Sequence, residues 1–300
     1  MQIHPFATKV LTCAAMTLAF TVAAPAQNQQ SFVATTGNDA SNCTTSSPCR
    51  TIAKALTVTK PAGEVVVVNS GIYGTNIKIS SPVTISAVGV DASLVTTTGS
   101  AVTIDLSPGG NVTINGLALH ARGGATDSGV LVQSVTNLRL SNMLIENFQY
   151  NGIEFNAPDR DLTVFNSQLN RNWQSGILVN ARGARVYVDG SSFDDNVGAG
   201  AVSQTGKLTI HNSSAHFNGA GFDANGGTVT LDNDRVLFNR TGLMVDHAGR
   251  LRFANCLISD NATAWDVAGA GVLAGSSPAT TFVAPGQTHT GQLSAAVPLE

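Results

Sequence analysis

One feature constrains this chain more than any other: a glycine followed by an alternating apolar segment, repeated through its middle. The segments are Gly129 to Gln133, Gly152 to Asn156, Gly176 to Asn180, Gly200 to Gln204, Gly221 to Asn225 and Gly242 to Asp246. Their spacings are 23, 24, 24, 21 and 21 residues. A period of this size marks a unit that cannot bury its apolar face alone and must stack on its neighbours. Within each segment the apolar residues alternate with period two, which predicts a half-buried strand. Val130, Ile153, Ile177, Ala201, Phe222 and Leu243 share one face with Val132, Phe155, Val179, Ser203, Ala224 and Val245. Glu154, Asp223, Gln133, Asn156, Asn180, Gln204, Asn225 and Asp246 fall between and beyond them. One face is dry and the other largely wet.

A second strand follows in each repeat, carried by Leu138/Leu140, Leu162/Val164, Val186/Val188, Leu208/Ile210, Val229/Leu231 and Leu251/Phe253. Directly after it stands a column of Asn142, Asn166, Asn212, Asn233 and Asn255, with Gly190 in the one missing place. Six residues further on a second column reads Phe148, Asn172, Asn196, Asn218, Asn239 and Asn261. Between the columns, Ile145, Leu169, Phe193, Ala215, Val236 and Ile258 align as a third core strand. Asparagine tolerates unusual turn backbone and bonds to neighbouring main chain. Both columns are therefore expected at bends, their amides bonding along the stack, with Asn142, Asn166, Asn212, Asn233 and Asn255 out of solvent. Loss of Asn212 should then leave buried backbone unsatisfied.

This pattern resembles the right-handed parallel β-helix of the pectate-lyase-like superfamily, over roughly residues 31–264. The opening adds to the resemblance: Phe32 to Asp39, Cys43, Ser47 to Leu56, Gly63 to Val68, then Gly71, Ile72 and Tyr73. It is similar to the start of secreted β-helix proteins, with a first strand, a short helix and the first full coil. The helix is legible by itself in Thr51 to Val58, with Ile52, Ala55 and Leu56 on one side. It is expected to lid a solenoid that would otherwise expose its core. The fold class is all-β, a right-handed parallel β-helix with a short N-terminal capping helix. Residues 27–64 form its strand and cap, 65–268 the solenoid, and 269–300 a C-terminal cap and tail. Low charge fits such a chain: charged residues are 12%, about half the usual quarter.

Residues 1–26 read as a signal peptide: Lys9 with His4, an apolar run from Val10 to Ala24, then Ala24, Pro25 and Ala26. The run is short for a membrane span. The expected product is secreted or periplasmic. Export makes a Cys43–Cys49 disulfide the expected reading of that polar loop, since no third and fourth metal ligand lies nearby. Cys256 reads as a small buried hydrophobe.

The net charge of −3 disfavours sequence-independent nucleic-acid binding, which runs on concentrated positive charge. Relatives of this fold act on acidic polysaccharides, so the resemblance implies a glycan partner and specific catalytic groups. In the polygalacturonase-like branch, acids and a histidine precede the glycine-led strand. The matching positions are Tyr150-Asn151, Gln174-Ser175, Gly198-Ala199 and Gly219-Ala220, and none carries such a group. Asp194-Asp195 are consecutive in a strand and point apart. Asp159-Arg160-Asp161 reads as a self-satisfied surface ion pair. Asp232-Asn233-Asp234 is the minor calcium alternative, and no other cofactor or metal site is expected. His120, His211, His216 and His247 are scattered without ligand spacing.

One constellation points to a ligand. Tyr150 and Trp173 precede the glycine-led strand in adjacent coils, and stacked coils lie about 4.8 Å apart. Aromatic faces there could stack on sugar rings, with Glu154, Asn156 and Asn180 beside them and Arg171 close by. The expectation is a monomeric, non-catalytic binder of polysaccharide or cell-surface glycan, without nucleic acid or membrane insertion. The alternatives are a lyase or epimerase acting on uronate polymers, and a structural surface protein.

Overall fold

A computed structural model describes residues 27–275, 282–283 and 288–294. The expected signal, residues 1–26, lies outside the described residues. The chain winds into a parallel β-solenoid of about nine turns. Among the described residues its three sheets hold twelve, ten and ten strands, and successive strands of each sheet pair one coil apart. The glycine-led sheet includes Val130–Ser134, Ile153–Phe155, Ile177–Val179, Ala199–Ser203, Ala220–Asn225, Thr241–Asp246 and Thr263–Val267. The long sheet runs from Asn28–Val33 to Leu293–Ser294, and the third sheet from Gly71–Ile72 to Phe282–Val283.

In-register pairing explains why the repeat exists. Val130, Ile153, Ile177, Ala201, Phe222, Leu243 and Trp265 stand side by side in successive coils. Together with the inner columns of the other sheets they form one continuous core. Phe193 and Phe222 meet edge to face across it, ring centroids 5.8 Å apart. At the N-terminal end, helix Ile52–Val58 is capped by Thr51, whose side chain accepts from the Lys54 amide. Asp39 accepts the Arg50 and Thr51 amides, holding the helix start in place. Ile52 and Ala55 are fully buried in the core. At the other end, Val272–Gly275, Phe282–Val283, Thr288–Thr290 and Leu293–Ser294 extend the three sheets.

The two asparagine columns are physically different, and the first corrects the expectation that it is a ladder out of solvent. Asn142, Asn166, Asn212, Asn233 and Asn255 are solvent-exposed. Their φ angles of 53°, 45°, 49°, 60° and 55° place them in the left-handed region, as does 61° at Gly190. Asparagine and glycine recur there because they enter that region at least cost. The side chains still bond laterally, as from Asn233 to Asn212 at 2.7 Å, but in water.

The buried ladder is the second column. Asn172, Asn196, Asn218, Asn239 and Asn261 are all buried. Each side-chain amide donates to the next Oδ1 at 3.1, 2.9, 3.0 and 3.0 Å, and the same oxygen accepts the preceding backbone N–H. The amides also donate to carbonyls of the core column, including Leu169, Phe193, Ala215 and Val236. Phe148 ends the ladder through its backbone N–H, which donates to Asn172.

A further column lies directly after the exposed asparagines. The backbone N–H groups of Met143, Ser167 and Ser191 donate to the hydroxyls of Ser167, Ser191 and Ser213. Asp234 takes the next place, accepting the Ser213 amide at 2.8 Å, and Cys256 the one after. All five side chains are buried. The Asp232-Asn233-Asp234 run therefore diverges: Asp232 accepts from Asn255, Asn233 faces solvent, and Asp234 turns inward onto backbone amides.

Cys43 and Cys49 are bonded and Cys256 is free and buried. Burial pushes the Cys256 thiol up to about 12, so it is inert in the fold. Alkylation of the unreduced protein should therefore label no cysteine among the described residues until unfolding, and then Cys256 alone. Labelling of three thiols would contradict this. The bond closes a short loop and contributes about 2 kcal/mol.

Candidate functional site

The outward half of the glycine-led sheet forms a floor of two columns. The first reads Leu131, Glu154, Leu178, Val202, Asp223, Met244 and Asp266. The second, two residues on, reads Asn156, Asn180, Gln204, Asn225 and Asp246. A groove of about 520 Å³ opens over this floor, lined by Gln174, Leu178, Val197, Val202, Gln204, Asp223, Asn225, Arg240, Met244 and Asp266 among others. It opens where the paired strands change spacing, from 24 residues between Ile177 and Ala201 to 21 between Ala201 and Phe222. Gly198 and Gly219 stand in its wall. A side chain at either would collide with a neighbouring carbonyl, of Gln174 at 2.3 Å or Val197 at 2.4 Å.

Asp223 is the unusual member. It points outward from its strand yet is only 8% exposed, packed between Val202 and Met244. Its Oδ1 is buried without a hydrogen-bond partner. Burial, reinforced by the Asp246 carboxylate and partly offset by His247, raises its pKa from 3.8 to about 7. A carboxyl poised near neutrality can donate to or accept from a ligand hydroxyl, and can move a proton at physiological pH. Leu178, Met244, Val202, Ala199 and Ala220 form an apolar patch around it.

The sequence-derived strip is assembled in part. Glu154, Asn156 and Asn180 project from the outward face. Glu154 is already engaged, accepting from Ser128 at 2.8 Å and Asn156 at 2.9 Å. The side-chain Oδ1 of Asn156 is buried and unpartnered. Tyr150 and Trp173 are both exposed, Trp173 to 66%. They flank the sheet at the corner set by the asparagine ladder. The 24-residue register places Gln174 beside Tyr150, and the Gln174 N–H donates to the Tyr150 carbonyl at 2.9 Å. Arg171 turns away to Glu146 and Asn147 on the third sheet. Val197 takes the place of Trp173 one coil on, whereas Phe217 and Phe238 lie across the ladder in the column of Arg171, their rings stacked at 5.5 Å.

Glu154 is not alone as an acid on this face, since Asp223 and Asp266 share its column. Asp223 was overlooked as a site residue. Its signal was in the sequence: an acid between apolar residues at outward positions of adjacent repeats. Elsewhere, Asp161 pairs with Arg185 of the next coil, not within its own loop. Four histidines each face a carboxylate: His120 with Glu146, His211 with Asp232, His216 with Asp194 and His247 with Asp246. Among the described residues, no three His, Cys, Asp or Glu side chains converge on a common metal position. Among them, too, no helix is long and apolar enough to cross a membrane.

Solved structures share this fold at low sequence identity. A pectate lyase aligns with a TM-score of 0.59 and 16% identity, over 91% of this chain and 79% of its own. The complex of XylC with xylose gives 0.66 and 10%, over 87% and 70%. An alginate lyase from Paenibacillus sp. gives 0.61 and 13%, over 90% and 100%. No curated protein matches the sequence. The family model described as "Right handed beta helix region" matches residues 32–228, most of the chain. With its repeat, its three parallel sheets and this match, the chain belongs to the right-handed β-helix family.

Proposed function

We propose that this protein is exported and binds a polysaccharide lengthwise in the groove of its glycine-led face. The observation that carries the reading is the groove itself, where the carboxyl of Asp223 stands among Leu178, Val202 and Met244. Such a combination is the usual make-up of a saccharide site: apolar surface for ring faces and a few polar groups for orientation. Tyr150 and Trp173 flank the floor and supply stacking surface. The similar folds include a pectate lyase, an alginate lyase and a protein bound to xylose, which is consistent with a carbohydrate ligand.

Trp173→Ala should lower affinity for the cognate glycan about tenfold or more, about 1.4 kcal/mol. The melting temperature should hold, because the ring is largely exposed. Glu154→Gln should change binding little, because its oxygens are engaged by Ser128 and Asn156. A glycan array read by direct binding tests both. A wild-type protein that ignores plant, algal and bacterial glycans alike would overturn the reading.

A second reading, enzymatic cleavage, is favoured by the same carboxyl. An acid with a pKa of about 7 suits proton transfer at neutral pH. Asp223→Asn would then abolish product formation while leaving binding within a few-fold. If the protein only binds, no product forms in either variant.

A further inference from the structure

We infer that the groove is built for an uncharged saccharide and turns away uronate polymers; this rests on the groove being the glycan site. The first support is its charge. Asp223 and Asp266 lie in one column of the floor, Asp246 adjoins Asp223 from the next strand, and Glu154 lies further along. Arg240 is the one cation among the described residues lining the groove. Recognition of a carboxylate-bearing polymer calls for arginine or lysine at each acidic sugar, best as a bidentate fork.

The second support is how the acids are satisfied. Glu154 is held by a hydroxyl and an amide, Asp266 by the Thr290 hydroxyl, and Asp246 by His247. None of these contacts brings a lysine or arginine to the face. The third support is the carboxyl of Asp223. The residue lines the groove while 8% exposed, and a carboxyl there exchanges a hydrogen bond with a sugar hydroxyl in either protonation state. Above about pH 7, where Asp223 ionises, a uronate carboxylate sets like charge against it and has no proton to donate. Leu178, Val202 and Met244 add a floor that suits the C–H face of a neutral ring and pays no desolvation of charge.

The test is calorimetric titration of the whole protein with two sets of hexasaccharides, at about pH 7.5 and low salt, where charge effects are least screened. One set is neutral, of xylose, glucose and mannose. The other is oligogalacturonate and oligomannuronate, each run with calcium and with chelator. A neutral oligomer should bind at least about tenfold tighter than either uronate in both conditions. Asp223→Lys should weaken the neutral ligand and strengthen the uronates. Uronate binding equal to or tighter than neutral, with or without calcium, would overturn the inference. If that uronate binding falls in Trp173→Ala and Asp223→Leu, the groove reading stands and its specificity alone is wrong. If a neutral oligomer binds but neither variant changes its affinity, the groove reading fails, and the inference with it. Silence from every oligomer would remove both.

Discussion

Replacing Asn218 by alanine should cost about 3–5 kcal/mol of stability, whereas Asn212→Ala should cost only about 1 kcal/mol. The two asparagines look equivalent in the repeat and differ in what they hold. Asn218 is buried, accepts both the Asn196 backbone N–H and the Asn196 amide, and donates to the Phe193 carbonyl and to Asn239. Truncation leaves buried donors and an acceptor orphaned, each costing about 1–3 kcal/mol. Asn212 is exposed at φ 49°, so alanine there meets left-handed strain of about 1–2 kcal/mol, less what asparagine already bears, and gives up bonds to Asp189 and Asn233 that water replaces. Asn212→Gly should be neutral or slightly stabilising. Urea midpoints of the three variants check this, and similar shifts for Asn218→Ala and Asn212→Ala would refute the assignment of the ladder.

Asp234→Ser should stabilise the protein by about 4 kcal/mol at pH 8 and hardly at all at pH 3. Asp234 occupies a serine place in the hydroxyl column, where Ser213 shows that a hydroxyl accepts the preceding amide. Burial raises its carboxyl from 3.8 to about 7, against two stabilising backbone hydrogen bonds. The sign follows from proton binding. Between these two values the unfolded chain has lost the proton and the folded chain keeps it, so stability falls as pH rises from about 4 to about 7. Below 3.8 both states are protonated and the penalty is absent. A displacement from 3.8 to about 7 corresponds to about 4 kcal/mol. Asp223 adds a second decline of the same sign. Chemical denaturation from pH 3 to pH 8 should show the wild type losing stability across this window and Asp234→Ser losing about half as much. A wild type equally stable at both ends would remove the argument for both carboxyls.

The fold was legible because alternation and repeat length are properties of neighbouring residues. Val130, Ile153 and Ile177 announce a shared column without any knowledge of the third dimension. Burial was harder to read. Asn212 and Asn218 carry the same side chain six residues apart, and only the backbone angle at one and the enclosure of the other separate them. Asp234 hid inside Asp232-Asn233-Asp234, which resembles a ligand run because the sequence does not show that its first and last members face opposite ways. Asp223 was read as one more wet-face residue. Its enclosure depends on Leu178, Val202 and Met244, from three other coils, and on the change in coil length beside it. That is a non-local property, and local pattern does not carry it.

One residue of that three-residue change in coil length falls at the groove's corner and gives the hollow an origin by subtraction. From ladder asparagine to strand glycine the count is four residues at Asn172–Gly176 and Asn196–Gly200, and three at Asn218–Gly221 and Asn239–Gly242. Binding surfaces are commonly grafted onto rigid scaffolds as added loops. Here the hollow lies where backbone has been left out. A lineage carrying this architecture could open or close such a hollow by single-codon deletions and insertions, leaving the sheets in register above and below.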